Sequence, residues 1–294
     1  RCGRTYAGEK GDSSVRKRLL VRLLVFFVVL LAADIAVQIG RHWVTRHAPA
    51  AAADWMTIGV ALVLAAALVG LYATLVRWME HRAARELAPR VIQAIAGIVL
   101  GVALFSAVFG LLHLMGVARW QGITGHFDVT MLALSILAGV GEELAFRGAL
   151  FRIVEEGFGT TSALVTSAAV FGLLHALNPG ATVVSTTAIA IEAGILLGAA
   201  YALTRNLRFP IGLHFGRNFT EGGIFGVSVS GGPTGKGIFS VSLVGHRLLT
   251  GGSFGPEASV IAIAVCLAAG VMLLALTVRS GRWMPMRSVR TASR

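Results

Sequence analysis

From Val91 to Met115 the chain runs for 25 residues without one Asp, Glu, Lys or Arg. A helix needs about 20 apolar residues to cross a bilayer, and in hydrocarbon only structures that satisfy their own backbone, helices or closed barrels, can span. Seven more apolar runs read the same way: Leu19–Gly40, Asp54–Met79, Val129–Phe151, Ser162–Leu177, Ala181–Leu203, Phe209 to about Val229, and Pro256–Val278. The expectation is an all-α, polytopic membrane helix bundle of about eight transmembrane helices. A mean hydropathy of +0.76 with only 14% charged residues fits that class and not an ordinary soluble one.

The net charge of +12 is distributed in short connectors between apolar runs. Twenty of the 26 Lys and Arg fall on the side of the N-terminus, which by the positive-inside rule puts both termini in the cytoplasm. The chain then divides into a basic cytoplasmic tail (1–18), a three-helix membrane region (19–128), a core (129–278) and a second basic cytoplasmic tail (279–294). No basic surface interleaved with aromatics is present, so nucleic acid is not expected as a partner. Cys2 and Cys266 lie too far apart in character to form a disulfide or a cysteine metal site. The preference for Arg over Lys, with abundant Ala and Gly, reads as a GC-rich bacterial genome. The expected location is therefore the bacterial inner (plasma) membrane, in multi-pass form.

Smaller signals complete the organisation. Gly97/Gly101, Gly194/Gly198 and Gly222/Gly226 have the spacing of close helix packing within one bundle. Gly116–Asp128 reads as a short polar loop, Ser230–Gly255 as an irregular one, and Glu155-Glu156 as a solvated turn. Pro256 and Glu257 suit the first turn of the last span. Gly231–Gly237 superficially resembles a phosphate loop but is one residue short of the required spacing.

Against this background one stretch stands out: Gly139-Val-Gly-Glu142-Glu143-Leu-Ala-Phe-Arg147-Gly148. Ionisable groups at mid-membrane cost roughly 2.5–3.5 kcal/mol each on the insertion scale and mark functional sites. Residues four apart share a helix face and neighbours point about 100° apart. Glu143 is thus placed to pair with Arg147, leaving Glu142 to face a cavity as a general base; a buried ion pair that only locks packing explains the same residues. Later spans add His175, then His214 and Asn218 four apart on one face. Counting inward, Glu142 and His175 reach similar depths and His214 comes out shallower. Either the boundary at Arg208 is displaced or that segment enters irregularly.

The motifs Glu142-Glu143-Leu-Ala-Phe-Arg147, Phe171-Gly-Leu-Leu-His175 and His214-Phe-Gly-Arg-Asn218, in this order, resemble those of the CPBP family (CAAX protease and bacteriocin-processing), intramembrane proteases that include the Rce-type glutamic endopeptidases. The likeness covers about Val129 to Asn218, and Gly251–Glu257 is similar to the family's C-terminal region. It makes 129–278 a CPBP-like catalytic core and implies an intramembrane endopeptidase acting on a membrane-associated protein or peptide. Glu142 and His175 would activate water, His214 and Asn218 would stabilise the oxyanion, and Glu143 and Arg147 would support the site. No cofactor is expected and no metal site, although a zinc site of Glu and two His is chemically possible. The alternative is a non-enzymatic immunity or chaperone-like membrane factor that keeps the motif as a polar core. Val108–His113 repeats Val170–His175 letter for letter, but His113 precedes the glutamate motif, so His175 is the expected site residue. Glu192, midway along the sixth span, either lines the cavity or bonds to a neighbouring helix. The bilayer and a membrane-associated peptide or protein substrate are the expected partners.

Overall fold

The computed structural model describes residues 6–47 and 53–286. Cys2 and the outermost parts of both basic tails lie outside the described residues. The elements are α1 (Tyr6–Arg46), α2 (Ala53–Glu80), α3 (Val91–Leu114), β1 (Ala118–Ile123), α4 (Val129–Glu143), α5 (Arg152–His175), α6 (Val183–Ile189), α7 (Leu196–Thr204), α8 (Arg208–Asn218), β2 (Phe239–Leu243), α9 (Arg247–Thr250) and α10 (Val260–Arg279). The architecture is an all-α membrane bundle. Three π-helical stretches, Leu144–Phe151, Ala190–Ile195 and Phe219–Ile224, join α4 to α5, α6 to α7, and extend α8.

Among the described residues six helices are long and apolar enough to cross a membrane, against the eight expected. The difference has two sources. Val129–His175 forms one helical stretch of 47 residues, but Gly159 inside it is non-helical, at φ 81° and ψ 170°. Gly157 meets Leu19 at the start of the α1 span, and Gly159 meets Met284 and Pro285 beyond α10. The chain therefore descends to that end, reverses at Gly159 and climbs back, as two limbs. The other source is α8 with its π extension, Arg208–Ile224, which is shorter than the run to Val229 read from the sequence.

The end that holds Leu19, Gly157 and Met284 is also the basic one. Arg22, Arg82 and Arg152 interlock there with Glu80, Glu86 and Glu156 at 2.7–2.9 Å. Glu155 does not sit in a solvated turn. It is buried, accepting from Thr160 Oγ1 at 2.5 Å and pairing with Arg205, because the reversal at Gly159 folds the next limb over it.

At the opposite end the loop read as short and polar and the loop read as irregular pair with each other. β1 and β2 form a two-stranded antiparallel sheet, Ala118 opposite Leu243 and Ile123 opposite Phe239. Strands 115 residues apart carry no local signal of pairing. Between the ends, α3 and α8 run in close contact. A Cβ on Gly97 would stand 2.2 Å from the Phe209 carbonyl oxygen and one on Gly101 2.4 Å from that of Leu213; Gly212 and Gly216 meet Ala94 and Ile98 in return. Small residues on both helices let the backbones touch, the packing that membranes favour. This contact fixes α8 and presents the side chains of His214 and Asn218 away from α3.

Candidate active site

Five helical segments converge on one cavity of about 380 Å³. Its lining includes Glu142 from α4, His175 from α5, and His214 and Asn218 from α8. The sequence therefore named four residues that the fold brings together.

Helical phase separates the two glutamates as expected. Glu143 and Arg147 are both fully buried, and Arg147 Nη1 donates to Glu143 Oε1 at 2.8 Å. Arg147 Nη2 donates further to the carbonyls of Gly194 at 3.1 Å and Ala193 at 3.3 Å, and its guanidinium lies 4.9 Å over the Phe171 ring. That combination neutralises and solvates a cation out of water. Glu142 points into the cavity with its side chain 25% exposed, and its Oε2 finds no donor among the described residues.

Each histidine is oriented by a second group. His175 Nδ1 lies 2.8 Å from the Phe171 carbonyl. A carbonyl can only accept, so in the neutral ring Nδ1 carries the proton and Nε2 keeps a lone pair. His214 Nδ1 lies 3.0 Å from Glu143 Oε1, while its Nε2 is 3.9 Å from Glu142 Oε2, beyond a hydrogen bond. His214 thus sits at the depth of the glutamates, within a regular helix. It read as too shallow because the preceding turn is itself recessed: Leu207 N–H donates to the Glu86 carbonyl, Asn206 Nδ2 to that of Ala88, and both residues are buried.

Glu192 does not line the cavity. It is fully buried behind the wall, 2.5 Å from Arg217 Nη2, and the same nitrogen also pairs with Glu257. Glu257 in turn accepts the Ser230 N–H at 2.5 Å, and its own N–H donates to Glu221. Glu257 therefore does not cap the last helix, where Ser259 is the N-cap. It ties α8 to the loop that roofs the cavity through Ser230 and Pro233. Ser230 adopts φ 49°, a left-handed conformation, held at both ends by Glu257 and by Asn178, whose amide donates to its carbonyl at 2.9 Å. Arg217 and Glu221 were not singled out in the sequence, and Glu257 was read only as an acid in the first turn of the last span. An arginine and two acids in apolar surroundings were the signal available.

The first helix also reaches the site. Gln38 lines the cavity, and Asp34 lies against Gly141, where a Cβ would stand 1.9 Å from Asp34 Oδ1. His113 is elsewhere. Its Nδ1 lies 2.9 Å from the Ala118 carbonyl, and it borders a separate cavity of about 250 Å³ with Trp120 and Phe225. Among the described residues no three His, Cys, Asp or Glu side chains converge as metal ligands.

Residues 124–220 match the family model described as type II CAAX prenyl endopeptidase Rce1-like. Over that third of the chain it is similar to the Rce type of the CPBP family. Glu142, His175, His214 and Asn218 fall inside the matched segment, whereas Asp34, Gln38 and Glu257 fall outside it. The family that the model describes is one of endopeptidases. Compared with curated proteins and with solved structures, the chain matches none.

Proposed function

We propose that the chain is an intramembrane endopeptidase of the bacterial plasma membrane that hydrolyses a peptide bond of a membrane-associated protein or peptide. The observation that carries this reading is the division of labour between adjacent glutamates: Arg147 is committed to Glu143, and Glu142 is left facing His175, His214 and Asn218 across one cavity.

In this reading Glu142 takes a proton from water while the His175 Nε2 lone pair orients it. The water oxygen attacks the scissile carbonyl carbon. The developing oxyanion accepts from Asn218 Nδ2–H and from His214 Nε2–H, the ring in its imidazolium form and balanced by Glu143. The C–N bond then breaks, and Glu142 returns its proton to the leaving amine. A positioned acid–base group contributes typically 10²–10⁴-fold. The chemistry is assigned to the protein's own groups without a metal; activity lost to a chelator and restored by zinc would overturn that part.

Comparative peptidomics of membranes carrying the parent or the Glu142→Ala chain tests the reading. Peptide termini present with the parent and absent with the variant are expected. Identical termini, with biological activity retained, would instead favour the immunity or chaperone-like factor.

A further inference from the structure

The roof of the cavity is formed by Val229, Ser230, Gly232 and Pro233. Within it Ser230 stands at φ 49°, a left-handed conformation that glycine adopts freely and that strains a residue with a Cβ. The next residue, Gly231, is also left-handed, at φ 76°, and there a Cβ would stand 2.0 Å from the Pro179 carbonyl oxygen. Space thus demands glycine at 231, whereas position 230 carries a side chain against its backbone preference. Outliers of this kind collect at ligand clamps, where the surrounding structure holds them in place. Two groups hold this one. The Ser230 N–H donates to the buried Glu257 carboxylate at 2.5 Å, and the Ser230 carbonyl accepts from Asn178 Nδ2 at 2.9 Å. Glu257 pairs with Arg217, the neighbour of Asn218, and the Asn178 N–H donates to the His175 carbonyl at 3.1 Å. One clamp therefore ties Ser230 to both halves of the site.

With its N–H and carbonyl both bound, the hydroxyl is the polar group that Ser230 has left to offer. Its Oγ makes no hydrogen bond among the described residues, and Val229, Gly232 and Pro233 add no other polar side chain to the roof. A sphere of the cavity's volume is about 9 Å across, which is two to three residues of extended chain at about 3.3 Å each. A peptide whose scissile carbonyl stands at Glu142 passes the roof within that span. We infer that Ser230 is a further substrate-binding residue: its hydroxyl, donor and acceptor at once, holds a backbone peptide group of an extended substrate against the roof. The inference rests on the protease reading. It assigns binding to Ser230 and leaves the proton transfers with Glu142.

Two variants test it. Ser230→Ala removes the hydroxyl and keeps the Cβ; Ser230→Gly removes both and relieves the backbone. The full chain in nanodiscs, as parent, as each variant and as Glu142→Gln, is given a synthetic peptide spanning the most abundant Glu142-dependent terminus, and unfolding midpoints are read alongside. Loss of one neutral hydrogen bond weakens binding by roughly three- to tenfold. KM is expected to rise by that factor in both variants with kcat unchanged, the mark of a contact equally made in ground and transition states. Ser230→Gly is expected to unfold at a higher temperature while binding less well, a combination that a packing role does not produce. A parental KM in Ser230→Ala overturns the inference, and a rise confined to Ser230→Gly does so too, because it reports lost loop rigidity and not the hydroxyl. A loss confined to kcat also overturns it. In each of these cases Glu142-dependent cleavage persists and the protease reading stands. If Glu142→Gln cleaves as fast as the parent, or no Glu142-dependent terminus exists, the protease reading falls and this inference falls with it.

Discussion

Replacing Arg147 with methionine removes the cation from a pair in which neither side chain touches solvent. Glu143 would keep only His214 Nδ1, 3.0 Å away, as a polar partner for Oε1, and its Oε2 already has no donor among the described residues. Breaking a buried pair from one side costs about 3–5 kcal/mol, which lowers the folded-to-unfolded ratio by roughly two to three and a half powers of ten. Glu143→Leu alone strands Arg147 and costs a similar amount. The double variant removes both charges. It still loses the His214 bond, worth about 1.5–3 kcal/mol for a charged acceptor. The two changes should therefore fall short of additivity by about 2 kcal/mol or more, toward the upper end of coupling between contacting residues. Unfolding in mixed micelles, followed by fluorescence of the five tryptophans, gives all four corners of the cycle. The double variant should be folded and also inactive, because His214 is no longer oriented. Simple additivity would refute the claim that Arg147 exists to compensate Glu143.

Gly141→Ala drives a methyl into the Asp34 carboxyl, and overpacking of this kind costs about 1–3 kcal/mol; adding Asp34→Ala should recover most of the stability, which thermal unfolding of the two variants checks. Ser230→Gly relieves a left-handed backbone away from any helix end and should raise stability by about 1 kcal/mol, read as a higher unfolding midpoint. At the basic end, burial pushes the Glu86 carboxyl up, but hydrogen bonds from Arg82 and Tyr72 and the charge of Arg152 outweigh it and hold the group below its ordinary value. A depressed carboxyl adds stability above its unfolded pKa of about 4.3 and loses it as pH falls through the folded value. Glu86→Gln should thus be less stable at neutral pH and show a smaller loss on acidification below about pH 4, measured as unfolding midpoint against pH.

The membrane class, most helix positions and the four cavity residues were legible because each depends on a local rule: apolar length, helical phase, and the rarity of charge in hydrocarbon. Glu142 and Glu143 could be told apart for the same reason, since a four-residue spacing to Arg147 is a statement about one helix. What was not legible depends on contacts between distant segments. Glu257 read as a helix-starting acid because its partners, Arg217 and the Ser230 N–H, are 40 and 27 residues away. The β1–β2 pairing joins two loops that look formless singly. The recessed turn at Asn206 and Leu207 hid the true depth of His214. The reversal at Gly159 was read as a connector between two spans, while the positive φ that glycine alone adopts freely became visible only in the fold.

The account stands or falls on Glu142. Purified protein in lipid nanodiscs, incubated with a membrane-inserted peptide identified by the peptidomic comparison, should cleave it. Glu142→Gln and His175→Ala should lower the rate by at least about a hundredfold, with unfolding midpoints unchanged, while His113→Ala, the repeated motif in the other cavity, should cleave like the parent. Cleavage by folded Glu142→Gln at the parent rate would contradict the assignment.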